Sequence, residues 1–306
     1  MFFKHDTLHK KYEQLKKYLP MEKVISWKIK SSSIYIDRPL IMGILNITPD
    51  SFYDGGKYFN YDKAIERGKE IEKEGADIID IGGESTRPGS APVSEKEEIK
   101  RVIPVIENLS KEIKIPISCD TYKSKVAEKA LQVGAEIIND ISGLRFDKNL
   151  IEVIKEHKPG LIIMHTKGKP KNMQKKPYYK DTINEIYNFF KKRLEYAIKK
   201  GISEKSIVID PGIGFGKRLI DNLLIIKNLS KFKKIGRPIL IGTSRKSFIG
   251  KLLNLPEEER LEGTIASIVI SYINGAKIFR VHDVKEAKRA LDFTYYIFKI
   301  AGEEGK

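Results

Sequence analysis

Eight short apolar runs rich in isoleucine and valine punctuate the sequence, and polar residues stand at or near the end of each. Leu40–Thr48 carries Asn46, Ile78–Gly83 carries Asp80, Ile115–Thr121 delivers Asp120, and Ile137–Ser142 carries Asn139 and Asp140. Leu161–Thr166 carries His165, and Ile207–Asp210 ends on its acid and turns at once into Pro-Gly-Ile-Gly-Phe-Gly-Lys217. Pro238–Ser244 runs into Arg245 and Lys246, and Ala276–His282 carries Arg280 and His282. Near-continuous apolar runs of this length are the pattern of strands buried on both faces of a parallel sheet. Eight of them, alternating with helical stretches, predict an α/β chain folded as a (β/α)8 TIM barrel with a short N-terminal extension. Such a barrel collects its functional groups at the C-terminal rim of its strands.

The 306 residues suffice for one large core, and no linker divides them. Residues 1–37 read as an extension capping the barrel and 38–306 as the barrel itself. Within the extension, His5–Tyr18 reads as a short amphipathic helix and Val24–Ile36 as two strand-like pieces around Lys30-Ser-Ser-Ser33. Closing the barrel bottom is the plainer role for it, and binding a partner is the alternative. No apolar run approaches a membrane span, and the N-terminus lacks a secretion signal's apolar core. The single cysteine, Cys119, excludes an internal disulfide framework and points to a reducing, cytoplasmic setting. It sits in an apolar strand and reads as a buried small hydrophobe, not a nucleophile.

The net charge of +16 raises the question of a nucleic-acid partner. The lysines, however, are scattered along helices beside glutamates, as in Glu66-Arg-Gly-Lys-Glu-Ile-Glu-Lys-Glu74, and no basic segment is interleaved with aromatics for base stacking. A solvated surface is the simpler reading, with part of the excess favouring anionic substrates.

Three rim loops are long: Thr48–Gly56, Gly82–Ser90, and the very basic His165–Tyr178. Short connections are the norm in barrels, so long ones on one rim mark functional segments. Helices are predicted over 62–74 with Gly75 as its cap, from a Ser94–Glu97 capping box, and over 124–133, 148–156, 219–227, 248–253 and 284–298.

Asp120, Asn139 and Asp210 end three different strands, so the barrel brings them to one mouth. Two carboxylates and an amide suit a flat heterocycle with amino and ring N–H donors, such as a purine or pterin; the alternative is that each only satisfies backbone at its strand end. Lys246, Arg280 and His282 add positive charge there, with Ser244 and Ser247 at a helix start, which fits a zwitterionic or phosphorylated ligand. For Arg280 and His282 the alternative is a surface ion pair, and Arg245 reads as a brace for neighbouring acids. Gly212–Lys217 fits neither a phosphate-loop nor a dinucleotide-loop spacing and reads as a strand-end turn. The histidines lack metal-ligand spacing, which leaves a Mg2+ held mainly by substrate phosphates and an oxygen such as that of Asn46.

Together these segments resemble the dihydropteroate synthase family over roughly residues 38–298. The resemblance rests on Gly43-Ile-Leu-Asn-Ile-Thr-Pro-Asp-Ser-Phe52 with Asp54-Gly-Gly56, on Gly82-Gly-Glu-Ser-Thr-Arg-Pro-Gly89, and on Asp120-Thr121. It continues through Ile138-Asn-Asp-Ile141, Asp210–Lys217, Ser244-Arg-Lys-Ser247 and Arg280-Val-His-Asp283. It implies condensation of 6-hydroxymethyl-7,8-dihydropterin diphosphate with 4-aminobenzoate, with Mg2+. By that analogy Asp120, Asn139, Asp210 and Lys246 hold the pterin, and Arg280 stacks on it. Asn46, Arg280 and His282 would face the diphosphate, with Asn46 near the metal. Thr86 and Arg87 would lie over the aminobenzoate, Ser247 would take its carboxylate, and Phe215 would line its pocket. Asp120, Lys246 and Arg280 are then the catalytic candidates.

Sulfonamides, which imitate aminobenzoate, are the inhibitors to expect. A homodimer is likewise implied by the family, since the sequence itself marks no clear apolar patch. One departure stands out: Thr166-Lys167 precede Gly168, where the family often has methionine and a polar residue. Two rivals remain: a pterin-dependent methyltransferase of the same barrel type, against which the intact Thr86-Arg87 loop argues, and a non-catalytic basic binding module.

Overall fold

The computed structural model describes residues 24–48, 53–54, 58–85, 87 and 89–301. The helix expected over His5–Tyr18 and the candidate Thr86 lie outside the described residues.

The extension's described part is a hairpin, β1 (Ile25–Lys28) antiparallel to β2 (Ser33–Ile36). The barrel strands follow: β3 (Leu40–Asn46), then, after a two-residue ribbon β4 (Tyr53–Asp54) and β5 (Tyr58–Phe59), β6 (Ile78–Gly82), β7 (Ile117–Asp120), β8 (Ile137–Asp140), β9 (Gly160–Met164), β10 (Ile207–Asp210), β11 (Leu240–Ile241) and β12 (Ile278–Val281). Eight parallel strands run β10-β9-β8-β7-β6-β3-β12-β11. The ring closes where Ile209 bridges Ile239, with Ile209 N–H donating to Pro238 O at 3.0 Å. The helices are α1 (Tyr61–Lys73), α2 (Glu95–Glu112), α3 (Ser124–Gln132), α4 (Leu150–His157), α5 (Thr182–Lys199), α6 (Leu219–Lys227), α7 (Ser247–Leu253), α8 (Leu261–Ile273) and α9 (Val284–Ala301). Ser94 caps α2 by accepting from Glu97 N–H, and Gly75 takes φ +101° just past α1, as expected.

Strand periodicity of two sorts the side chains. Outward residues such as Ile41, Leu45, Ile79, Ile81, Cys119, Ile138, Ile163, Ile209 and Phe279 form the main core under the helices. Inward residues near the strand starts, Leu40, Met42, Ile78, Ile137, Ile162, Val208, Leu240 and Ile278, form a second apolar cluster. Trp27, Ile29 and Ile36 of the extension join that cluster, so the hairpin plugs the N-terminal end of the barrel. The fully buried Trp27 donates its indole N–H to Ser206 O at 2.8 Å. The same inward positions, one pleat higher, become polar: Asp80, Ser118, Asp120, Asn139, Asp210 and Arg280. That alternation is what makes the mouth a site.

At the helical surface, α8 and α9 pack side by side. They leave Ile270, Ile273, Phe293, Ile297 and Phe298 exposed, Phe293 to 69%. These residues lie on two neighbouring helices, which agrees with the sequence by itself marking no clear apolar patch. Among the described residues no helix is long and apolar enough to cross a membrane.

Candidate active site

The register sets the top layer of the barrel. Asn46 pairs with Gly82, Gly82 with Asp120, and Asp120 with Asn139, across four adjacent strands. Gly82 has no side chain there, and a Cβ at that position would stand 3.4 Å from Asp120 Cβ, so the glycine leaves room between Asn46 and the acid.

Beneath this layer Asp80, buried completely, organises its neighbours. Asp80 Oδ2 accepts from Arg280 Nε at 2.6 Å and from Asn139 Nδ2 at 3.0 Å. The Arg280 guanidinium also donates through Nη2 to Asp120 Oδ2 at 2.8 Å. One arginine thus ties two carboxylates, and the three groups orient one another. The sequence marks Asp80 only as a polar strand residue. The available signal was an acid in mid-strand on the inward parity, which burial obliges to find a cation.

Across the mouth, Asp210 accepts from Gly212 N–H at 2.7 Å, and its charge attracts Lys246. Lys246 Nζ donates to Ile213 O at 2.5 Å and lies 4.9 Å from the centre of the half-buried Phe215 ring. The structure therefore gathers Asp120, Asn139, Asp210, Phe215, Lys246 and Arg280 around one opening. His282 stands one step outward, with Nδ1 3.0 Å from Ser244 Oγ. Arg87 is on the rim with an exposed side chain paired to Glu257 at 2.8 Å. Ser247 is exposed at the start of α7, and Asn46 is half-buried at the end of β3. Parity separates the two polar residues of β8: Asn139 faces inward, whereas Asp140 faces out and accepts from Ser142 N–H. Arg245 braces an acid as expected, donating to Asp283 at 2.9 and 2.7 Å.

Burial dominates the electrostatics. It pushes Asp120 up to about 8, with the Arg280 charge opposing and Asp80 adding to the rise. Burial draws Lys246 down to about 8 against the pull of Asp210, and with the Arg280 charge it lowers His282 to about 4. Asp120 Oδ1 and Asn139 Oδ1 are buried acceptors with no hydrogen-bond partner.

The glycine turn is built against the fifth loop. Gly212 has φ +69°, and a Cβ there would lie 2.1 Å from His165 O, so only glycine fits. Lys217, buried, donates to His165 O (3.2 Å) and Phe215 O (3.0 Å) and meets His165 Nδ1 at 3.0 Å. This confirms a strand-end turn, braced by a lysine and a histidine that carried no role in the sequence reading. At the departure Thr166-Lys167, the backbone Thr166 O accepts from Arg145, and Lys167 Nζ reaches Tyr178 O and sits 4.2 Å from the Tyr179 ring centre.

The family model for pterin binding enzymes matches residues 42–282. The dihydropteroate synthase of Bacillus subtilis (strain 168) is 48% identical over 259 residues, covering 85% of this chain and 88% of its own. The solved Yersinia pestis dihydropteroate synthase, in complex with a sulfonamide drug, superposes with a TM-score of 0.85 at 41% identity, covering 90% of this chain and 99% of that one. The Xanthomonas albilineans dihydropteroate synthase in complex with 7,8-dihydropteroate gives 0.81 at 35% identity, with coverages of 89% and 98%.

Proposed function

The chain belongs to the pterin binding enzymes and, among them, to the dihydropteroate synthases, and on that footing we propose how its barrel mouth performs their reaction. The reaction joins 6-hydroxymethyl-7,8-dihydropterin diphosphate to 4-aminobenzoate, giving 7,8-dihydropteroate and diphosphate, and the enzyme is a transferase. The observation that carries the site assignment is the pair of unpartnered buried acceptors, Asp120 Oδ1 and Asn139 Oδ1. A pterin's amino and ring N–H groups are the donors that such acceptors lack. Asp210 and Lys246 frame the opposite side of the ring, and Arg280 stacks against it.

In the chemical step the methylene C–O bond breaks and its electron pair leaves with the diphosphate. The resulting cation is delocalised into the pterin, where Asp120, oriented by Arg280, stabilises it in its ionised form, which gains population as pH rises toward 8. The arylamine, already neutral at pH 7, attacks the methylene carbon and then loses a proton. Arg280 and His282 face the diphosphate. Phe215 and Arg87 border the aminobenzoate, with Thr86 on the same loop, and Ser247 takes its carboxylate. The Yersinia pestis relative is solved in complex with a sulfonamide drug, which supports an inhibitor of that class for this chain.

Among the described residues no three His, Cys, Asp or Glu gather to hold a metal. Asn46, half-buried at the strand end on the rim, would contribute one amide oxygen to a Mg2+ carried chiefly by the diphosphate oxygens. When bound, such an ion offsets the charge gathering on the leaving diphosphate. The apolar face of α8 and α9 supports a homodimer, and buried Cys119 fits a reducing cytoplasm.

The test is diphosphate release with and without 4-aminobenzoate. Release that depends on the amine supports the reading; corrinoid-dependent methyl transfer without it would overturn it.

A further inference from the structure

Beside the polar ring, and separate from it, a second group of buried charges lies under the second rim loop. Glu84 opens that loop, Glu98 belongs to α2, and Tyr122 and Lys123 follow β7. Lys123 Nζ donates to Glu84 Oε2 at 2.6 Å, to Val93 O at 2.7 Å, and to Glu98 Oε2 at very short range. The side chains of Glu84 and Glu98 are only 5% and 2% exposed. Glu84 also accepts from Val93 N–H at 3.0 Å and from the Tyr122 hydroxyl at 3.1 Å. Arg101 of α2 adds a hydrogen bond to Gly83 O at 2.9 Å.

Two carboxylates and an ammonium buried together carry a desolvation cost that apolar residues of similar size avoid, so bare stability is a poor reason for them. Their geometry supplies a better one. Glu84 stands near the start of the connection from β6 to α2 and Val93 near its end, beyond the rim loop, and Lys123 binds both. The loop is therefore closed at its neck and fastened there to the chain three residues after Asp120. Beyond the neck, Arg87 reaches Glu257, and Gly89 N–H donates to Pro170 O at 3.0 Å. Glu98 takes a further hydrogen bond from the Thr121 side chain, which binds the cluster to the residue next to Asp120.

We propose that Glu84 is a positioning residue for the second substrate: through Lys123 it sets the loop that carries Arg87 at a fixed distance from Asp120, so that 4-aminobenzoate meets the pterin methylene. This rests on the reaction assigned above.

Glu84→Gln and Glu98→Gln each remove one of the two carboxylate charges around Lys123, but only Glu84 lies on the loop. Steady-state kinetics on both substrates separate a positioning role from a structural one. Glu84→Gln raises the KM for 4-aminobenzoate by about ten-fold or more, and leaves that for the pterin diphosphate within about two-fold. It also increases diphosphate release without product, because water captures the cation more often. Glu98→Gln lowers the melting temperature comparably and leaves the aminobenzoate KM within about two-fold. Tyr122→Phe, which removes one hydrogen bond to Glu84 and no charge, moves the aminobenzoate KM in the same direction by less and carries the test should Glu84→Gln fail to fold. Equal kinetic effects of Glu84→Gln and Glu98→Gln, or an unchanged aminobenzoate KM in Glu84→Gln or Tyr122→Phe, would overturn the proposal. If the unmutated enzyme showed no amine-dependent release, the reaction assignment would fail first.

Discussion

Arg280 Nε donates to Asp80 Oδ2 at 2.6 Å, joining residues 200 positions apart on two barrel strands with β3 between them. The same carboxylate oxygen receives Asn139, so one buried acid aims both a cation and an amide at the mouth. Removing one partner of a buried pair leaves an uncompensated charge, at a cost of about 3–5 kcal/mol. Asp80→Ala is expected to lose stability of that order in urea unfolding and to lower kcat/KM for the pterin substrate by about a hundred-fold, because Arg280 and Asn139 lose their orientation. Asp80→Asn, which retains an acceptor, is expected to fall between.

The pH dependence follows from burial. Asp120 is raised to about 8, so falling pH protonates it and removes the charge that steadies the pterin cation. Lys246 is lowered to about 8, so rising pH discharges it. The kcat/KM profile for the pterin diphosphate should therefore peak near pH 8 and fall by about ten-fold per pH unit well out on each limb. The two limbs report the interacting pair, not either residue alone. Lys246→Arg keeps its charge and should flatten the alkaline limb, which a pH–rate series on the two proteins checks directly.

The barrel was legible because each strand repeats one pattern, apolar below and polar above, and parity then decides which residues face inward. Asp120, Asn139, Asp210 and Arg280 were legible for that reason, and Lys246 because it follows a strand end just before α7. Asp80 was not, because its importance lies in what it binds: an acid in Ile-Ile-Asp-Ile-Gly becomes a site residue only when Arg280 arrives from the far end of the chain. The brace between Lys217 and His165 escaped notice for the same reason. The surface pairing of Arg87 with Glu257 also depends on a contact between distant loops.

The hairpin and the mouth occupy opposite ends of the barrel, which separates stability from catalysis. Trp27→Ala removes a large buried ring and its hydrogen bond to Ser206. The expected loss is about 3–5 kcal/mol in urea unfolding. Turnover by the remaining folded enzyme should be unchanged, because Trp27 packs with the side chains of the strand starts, at the end of the barrel away from the mouth.

The exposed face of α8 and α9 predicts self-association. Phe293→Glu places a charge at its most exposed large apolar residue. Sedimentation velocity should show a dimer for the unmutated chain and a monomer for the variant. A monomer in both cases would leave the apolar face without the proposed partner.

On the proposed function, acids, amide and cations from separate strands form one receptor for a single bicyclic ring. Isothermal titration of a pterin into the unmutated protein, Asp120→Ala, Asn139→Ala and Asp210→Ala tests it most directly. One site per chain is expected, with affinity reduced by about ten-fold or more in each variant, since each leaves buried donors of the ligand unmatched. Undiminished pterin affinity in these variants, each shown to be folded, would contradict it.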